Sequence, residues 1–207
     1  MNINEQEKDK YIRAWATGAE GQSRTAYYIF EYLKNKLPKD SKILDVGCGS
    51  GIVVEMLRQE GFINTFGLDI TLSGLNSTNA MIKFDLPVEF NPILPINKSN
   101  YIESPIWNMP FVDNSFDFVF SVDVLEHLPP ELVEQSIKEI YRITSIETIH
   151  CIATFFDNRG GFKFHLTVNN IDWWKEQFNK FNDKNIHSEI MDRTEFLRTV
   201  NPNYKGK

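Results

Sequence analysis

Strands alternating with helices along 207 residues predict a three-layer α/β fold, with a doubly wound, mostly parallel sheet covered by helices on both faces. Three observations carry this expectation. Short apolar runs at Lys42–Val46, Thr65–Asp69, Phe116–Ser121 and Thr148–Phe155 have the length and composition of buried strands. Segments with helical spacing lie between them. A glycine-rich turn, Gly47-Cys-Gly-Ser-Gly51, carries the first strand directly into a helix.

In chain order, residues 5–37 read as helix, with Tyr27, Tyr28, Phe30, Tyr32, Leu33 and Leu37 on its apolar face. Leu37-Pro38 is the stop, because proline disfavours helix in the residue before it. Residues 1–40 are therefore expected to be helical. Ile52–Glu60 is a helix closed by Gly61. Residues 71–101, broken by Pro87, Pro92 and Pro95, are expected to be an inserted loop or lid. Pro130–Ile143 repeats Leu132, Val133, Ile137, Ile140 and Tyr141 at helical spacing, and Asn170–Phe181 is a helix capped from Asn169, Asn170 or Asp172. Residues 186–200 read as a terminal strand pair, giving an antiparallel edge hairpin on one single-domain chain.

With 22 basic against 28 acidic side chains and a net charge of −6, the chain is a poor match for a phosphate backbone, so nucleic acid is not an expected partner. No apolar run reaches the roughly 18–20 residues that span a bilayer. The polar start, MNINEQEKDK, does not resemble a signal peptide. Two cysteines, Cys48 and Cys151, make neither a disulfide framework nor a four-ligand zinc site, and no metal is expected. The composition fits a soluble cytoplasmic protein, and a monomer or homodimer is expected.

In a doubly wound sheet, ligands bind beyond the carboxyl ends of the strands, near the point where strand order reverses. Glycines at 47, 49 and 51 allow a sharp turn and close approach of a ligand, and the next helix aims its first amides there. Asp69 ends the second strand about 20 residues on, a place where a carboxylate binds ribose hydroxyls. The spacing is Gly-x-Gly-x-Gly rather than the dinucleotide Gly-x-Gly-x-x-Gly, and Asp45 before the first glycine can receive an ammonium group. A ligand with a ribose and an amino acid, but no pyrophosphate, fits better than NAD.

Ile43-Leu-Asp-Val-Gly-Cys-Gly-Ser-Gly51 resembles the first motif of the class I S-adenosylmethionine-dependent methyltransferases, a Rossmann-like family. Met109-Pro-Phe-Val-Asp-Asn-Ser-Phe-Asp-Phe-Val119 and Ser121-Val-Asp-Val-Leu-Glu-His-Leu128 resemble its fourth-strand region. The resemblance implies S-adenosylmethionine as cofactor and S-adenosylhomocysteine as product. It implies that Asp45 and the backbone of Gly47, Cys48, Gly49 and Gly51 hold the methionine moiety, and that Asp69 holds the ribose. Ile70 would pack on the adenine, Ile106 and Trp107 would flank it, and Ser121 would lie beneath the methionine part. One departure stands out: where the family often places an Asp that reads the adenine amino group, this chain has Pro105, with Glu103 and Asn108 nearby. The resemblance also implies that residues 1–40 form an N-terminal helical lid. Arg13 or Arg24 is suited to the cofactor's carboxylate.

A hydroxyl acceptor must lose its proton, which favours an adjacent base. Only loops after strands face the ligand. His150, within a strand, and His187, near the start of one, are therefore expected to be structural. His127 follows the fourth strand and His165 the fifth, so both are catalytic candidates, with Asp157 a weaker one. His127 serves either as a base or in shaping the pocket. His165 is favoured as the base. Tyr11, Trp15, Phe162, Phe164, Trp173 and Trp174 are expected to cover the pocket. The segment His165-Leu-Thr167 followed by Trp173-Trp174 is similar to methyltransferases of bacterial surface-sugar and related small-molecule pathways. Together these readings point to O-methylation of a sugar or nucleotide-linked metabolite. A protein or RNA methyltransferase, or a non-catalytic cofactor-binding member of the fold, is the alternative.

Overall fold

The computed structural model describes residues 2–19, 24–75 and 96–200. Helices α1 (Ile3–Thr17) and α2 (Arg24–Lys36) lead into β1 (Ile43–Val46), α3 (Ile52–Gln59), β2 (Thr65–Asp69) and β3 (Tyr101–Glu103). Then come β4 (Phe116–Val122), α4 (Val133–Ile143) and β5 (Thr144–Ile152). The short strands β6 (Asn158–Arg159) and β7 (Phe162–Lys163) precede α5 (Ile171–Lys180), β8 (His187–Asp192) and α6 (Arg193–Val200).

Six strands form one sheet in the order β3-β2-β1-β4-β5-β8, every neighbouring pair parallel. The order reverses between β1 and β4, which opens a crevice beyond their carboxyl ends. Side chains alternate across the sheet as the pleat requires. Leu44, Val46 and Val119 pack on Ile137 and Ile140 of α4 and on Trp174 and Phe178 of α5. Ile43, Phe118 and Phe120 turn the other way, onto Ile29 and Leu33 of α2, Leu57 of α3 and Phe196 of α6. Among the described residues, no helix is long and apolar enough to cross a membrane.

The fold class matches the expectation, with local differences. The helix read over 5–37 is two helices: Gly18 takes a left-handed φ of 71° and returns its N–H to Ala14 and Trp15, ending α1. The terminal strand pair at 186–200 is instead one parallel strand and a helix. Asp192 Oδ1 accepts the N–H groups of Thr194 and Glu195 at 2.9 and 3.0 Å, and that cap starts α6. The antiparallel hairpin is present elsewhere, as β6–β7 around Gly160 and Gly161, both with positive φ. β5 begins at Thr144, directly after α4, rather than at Thr148. Of the inserted segment 71–101, residues 76–95 lie outside the described residues. Its flanks are a 3-10 turn at Leu72–Gly74, a second at Lys98–Asn100, and the unanticipated strand β3.

β3 matters because Tyr101 locks the glycine turn from behind. Its hydroxyl donates to Glu55 Oε1 at 2.7 Å and lies 3.1 Å from the Gly51 carbonyl oxygen. A methyl group on Gly51 would come within 2.6 Å of that buried hydroxyl, at a backbone φ of +79°. Gly51→Ala is therefore expected to destabilise the protein by about 1–3 kcal/mol, since strain and overlap act together. Urea unfolding checks this, with Gly61→Ala, whose added methyl meets only the flexible end of Lys39, as the milder comparison.

Candidate functional site

The turn after β1 is pinned under β2: Gly47 and Cys48 both donate to the Leu68 carbonyl, at 2.7 and 3.1 Å. Gly47, Gly49 and Gly51 have φ of 76°, 54° and 79°, a region that glycine occupies without strain. A methyl group at Gly47 would overlap Val124, and one at Gly49 would approach the Trp15 ring at 3.3 Å. The glycines thus let Val124 and Trp15 pack directly on the turn, while the amides of residues 47–49 are tied back to β2. Gly49 N–H donates to Asp69 Oδ2 at 2.9 Å, and Thr71 N–H to Asp69 Oδ1 at 3.2 Å.

Asp45 and Asp69 are both buried. Burial pushes Asp69 up to about 6, against the lowering effect of the Gly49, Thr71 and Ile70 amides. Burial also holds Asp45 well above the usual carboxylate range, and neighbouring Asp69 adds to this. Two buried acids side by side favour a ligand that brings positive charge and hydroxyl donors. An amino-acid ammonium, a sulfonium and a ribose diol have that chemistry, so the residues present fit S-adenosylmethionine.

These groups line a cavity of about 1260 Å³, above the roughly 300–1,000 Å³ usual for one small ligand. Of the residues expected to hold cofactor, Asp45, Gly47, Cys48, Gly49, Asp69, Ile70, Ile106 and Trp107 line it. Gly51 lies behind the turn, against Tyr101. Ser121 does not line the cavity: it pairs with His150 Nδ1 at 2.8 Å in the core, with the imidazole against Phe178, and Val122, Asp123 and Val124 take the wall. Asn108 is exposed and Glu103 is engaged by Lys8 at 2.6 Å, so neither faces the adenine end. What stands there is Ile106 and the Trp107 ring, whose Nε1–H donates to Asn4 at 2.7 Å.

Helix α1 runs along the cavity from end to end. Asn4 holds Trp107, Lys8 holds Glu103, Tyr11 reaches His127, and Trp15 lies over Gly49 and Gly74. Arg13 is turned away from the site, paired with Asp9 at 2.9 Å, and Arg24 has its side chain outside the description. Trp174 is fully buried beneath α5 rather than over the pocket.

At the far end two imidazoles meet. The His127 and His165 rings are 4.9 Å apart between centroids, with Phe164 beside His127. The Tyr11 hydroxyl is 2.8 Å from His127 Nδ1. His165 Nδ1 is hydrogen-bonded to the Phe155 carbonyl, which can only accept, so Nδ1 carries the proton and Nε2 the lone pair. That lone pair faces Glu126 Oε1 and Asp157 Oδ2, each 4.0 Å away. Burial lowers both imidazoles from their ordinary range, and each is neutral at pH 7. Burial, together with Asp123, raises Glu126 well above its usual range.

Sequence reasoning missed Glu126, the start of α6 and the reach of Tyr11. Glu126 directly precedes His127 and was the one available signal. Arg193 and Thr194 enter the cavity wall because 193–200 is a helix starting at the sheet's carboxyl edge.

A family profile described as methyltransferase domain matches residues 44–152. The chain is 27% identical over 146 residues to cycloartenol-C-24-methyltransferase of Arabidopsis thaliana, covering 70% of this chain and 40% of that protein. It is 30% identical over 148 residues to ribosomal protein L11 methyltransferase of Prochlorococcus marinus, covering 69% and 44%. The chain thus spans less than half the length of these curated relatives. Among solved structures, 1,6-didemethyltoxoflavin-N1-methyltransferase of Burkholderia thailandensis, with S-adenosylhomocysteine bound, superposes with a TM-score of 0.59 at 10% identity. That match covers 97% of this chain and 80% of the other, and it concerns the fold.

Asp69 yields a prediction on the ligand-free protein. Its pKa lies near 6 when folded against 3.8 ordinarily. The folded state therefore holds the proton more tightly, and stability falls as pH rises through that window, by roughly 3 kcal/mol in all. Asp69→Asn removes this penalty. The variant is expected to melt roughly 6–12 °C higher than the parent at pH 8, with the difference vanishing near pH 4, as calorimetry would show.

Proposed function

Since the chain belongs to the class I S-adenosylmethionine-dependent methyltransferases, we propose that it methylates a hydroxyl of a small molecule, a sugar or nucleotide-linked metabolite. The observation that carries this reading is one cavity joining the acid-lined glycine turn to a pair of neutral imidazoles. When bound, the cofactor supplies an electrophilic methyl group on sulfur. Asp45 and the Gly47–Gly49 backbone hold its amino-acid end, Asp69 its ribose, and Ile70, Ile106 and Trp107 its base.

Collinear approach is most of what such a displacement needs, and rigid walls supply it. The acceptor lies against His127 and His165, where the lone pair on His165 Nε2 receives the hydroxyl's hydrogen bond. Phe155 and Phe156 with Asp157, Arg159 and Asn170 give this end the mixture of ring faces and polar groups that suits a polyhydroxylated ring. Helix α1 acts as the lid of a single domain, excluding water along the cavity. The Leu72–Gly74 flank of the segment 71–101 meets that lid at Trp15. Arginine and aromatic groups at the acceptor end give no basic stripe for a polynucleotide, and the net charge is −6.

Calorimetry tests the cofactor. S-adenosylhomocysteine is expected to bind and NAD not to, and Asp69→Ala to weaken the former by about 1–3 kcal/mol through loss of charge-assisted hydrogen bonds. The acceptor is tested by following S-adenosylhomocysteine release across hydroxylated metabolites, amines and peptides. Turnover confined to amines or peptides defeats the oxygen assignment. On a true acceptor, His165→Ala is expected to lower turnover roughly 10²–10⁴-fold, with cofactor affinity within a few-fold of the parent.

A further inference from the structure

We propose that Glu126, His127 and His165 form a binding site for one divalent transition-metal ion of the Zn²⁺ type, with an open coordination position facing the acceptor. One ligand atom from each residue lies within 4.8 Å of the other two. His165 Nε2 and Glu126 Oε1 are 4.0 Å apart. Metal–nitrogen and metal–oxygen bonds of about 2.0–2.2 Å require the three to close up by less than about 1 Å each.

Four features of the surroundings point to a cation. Glu126 is fully buried, and its Oε2 has no hydrogen-bond partner. A buried carboxylate is costly to hold charged, and a bound cation offsets that cost. Oε1, the oxygen 4.0 Å from His165 Nε2, also accepts the Ala153 N–H at 2.9 Å, so the carboxyl group is already aimed at the cluster. His165 gives Nδ1–H to the Phe155 carbonyl, the arrangement that fixes the tautomer and orientation of a metal-bound imidazole. The Tyr11 hydroxyl, 2.8 Å from His127 Nδ1, holds that ring in place. Two imidazole nitrogens and one carboxylate select Zn²⁺, Co²⁺ or Ni²⁺ over Mg²⁺ or Ca²⁺, which favour all-oxygen shells.

The ion's place in the reaction rests on the methyltransferase reading above; its binding does not. Three protein ligands leave one position for an acceptor hydroxyl, whose acidity the ion raises. The O–H bond then breaks, its electron pair staying on oxygen and its proton passing to the carboxylate of Asp157, the group 4.0 Å from His165 Nε2. With the ion in place, the hydroxyl binds metal rather than the imidazole lone pair.

The test uses the full chain, treated with a chelator and titrated with Co²⁺ or Zn²⁺ alone. One equivalent of Co²⁺ is expected to bind with the visible absorption of a nitrogen- and oxygen-ligated ion, to be displaced by Zn²⁺, and to ignore Mg²⁺. His165→Ala and Glu126→Gln should each weaken the ion at least tenfold, in line with the loss of a ligand or its orienting partner. Both should keep S-adenosylhomocysteine affinity within a few-fold, which certifies their fold. His187→Ala, an exposed imidazole remote from the cluster, should change nothing. Failure of the parent to bind one equivalent overturns the proposal, as does equal binding by the parent and both cluster variants, or loss of binding in His187→Ala. Failure to bind S-adenosylhomocysteine in the parent would instead overturn the cofactor reading and leave the metal site standing.

Discussion

The hydrogen bond from Gly49 N–H to Asp69 Oδ2 ties the loop after β1 to the end of β2, and the carboxyl edge of the sheet is organised around it. A buried carboxylate is expensive to hold ionised, and here amides offset only part of that cost. The protein therefore keeps a polarised, partly unsatisfied acid where a ligand's hydroxyls would arrive. The bond exists only because position 49 takes a φ of 54° and carries no side chain, while Leu68 anchors the amides just before it. Backbone shape and acid chemistry are one device here, because neither has its present form without the other.

Helix α1 extends that device along the cavity. Its ion pair with Glu103 is largely exposed and contributes little by itself. The weight lies with Trp15, which is nearly buried against the glycine turn, and with the Asn4–Trp107 and Tyr11–His127 bonds at the two ends. One helix thus touches Trp107, the glycine turn and His127. A shift of the helix is felt at all three.

The glycine turn, Asp45, Asp69 and the four central strands were legible because each is written locally: a strand's apolar run, a glycine triplet, an acid at a fixed distance. What failed was decided at long range. Phe196, Leu197 and Val200 suit a strand or a helix, and the Asp192 cap with the packing on Phe120 chose the helix. Ser121 was assigned by its place at the strand's exit, but the side chain follows the pleat toward His150. β3 is three residues long, too short to show periodicity, and exists because Tyr101 packs behind the turn. His127 and His165 are placed at the crevice by their positions after the fourth and fifth strands, but that Glu126 joins them depends on the pairing of β4 and β5, which no spacing announces.

The all-parallel order has a consequence for how this protein can change over generations. Its cofactor cradle is built from the exits of β1, β2 and β4 at the middle of the sheet, where Val46, Leu68 and Val119 are packed from every side and most substitutions cost folding. The far end of the cavity adds the exits of β5 and β8 at the sheet's edge, where Phe155, Asp157 and Arg193 are half-buried. Drift is therefore cheaper along that rim than at the glycine turn. A lineage on this scaffold can vary the β8–α6 corner while the turn stays fixed.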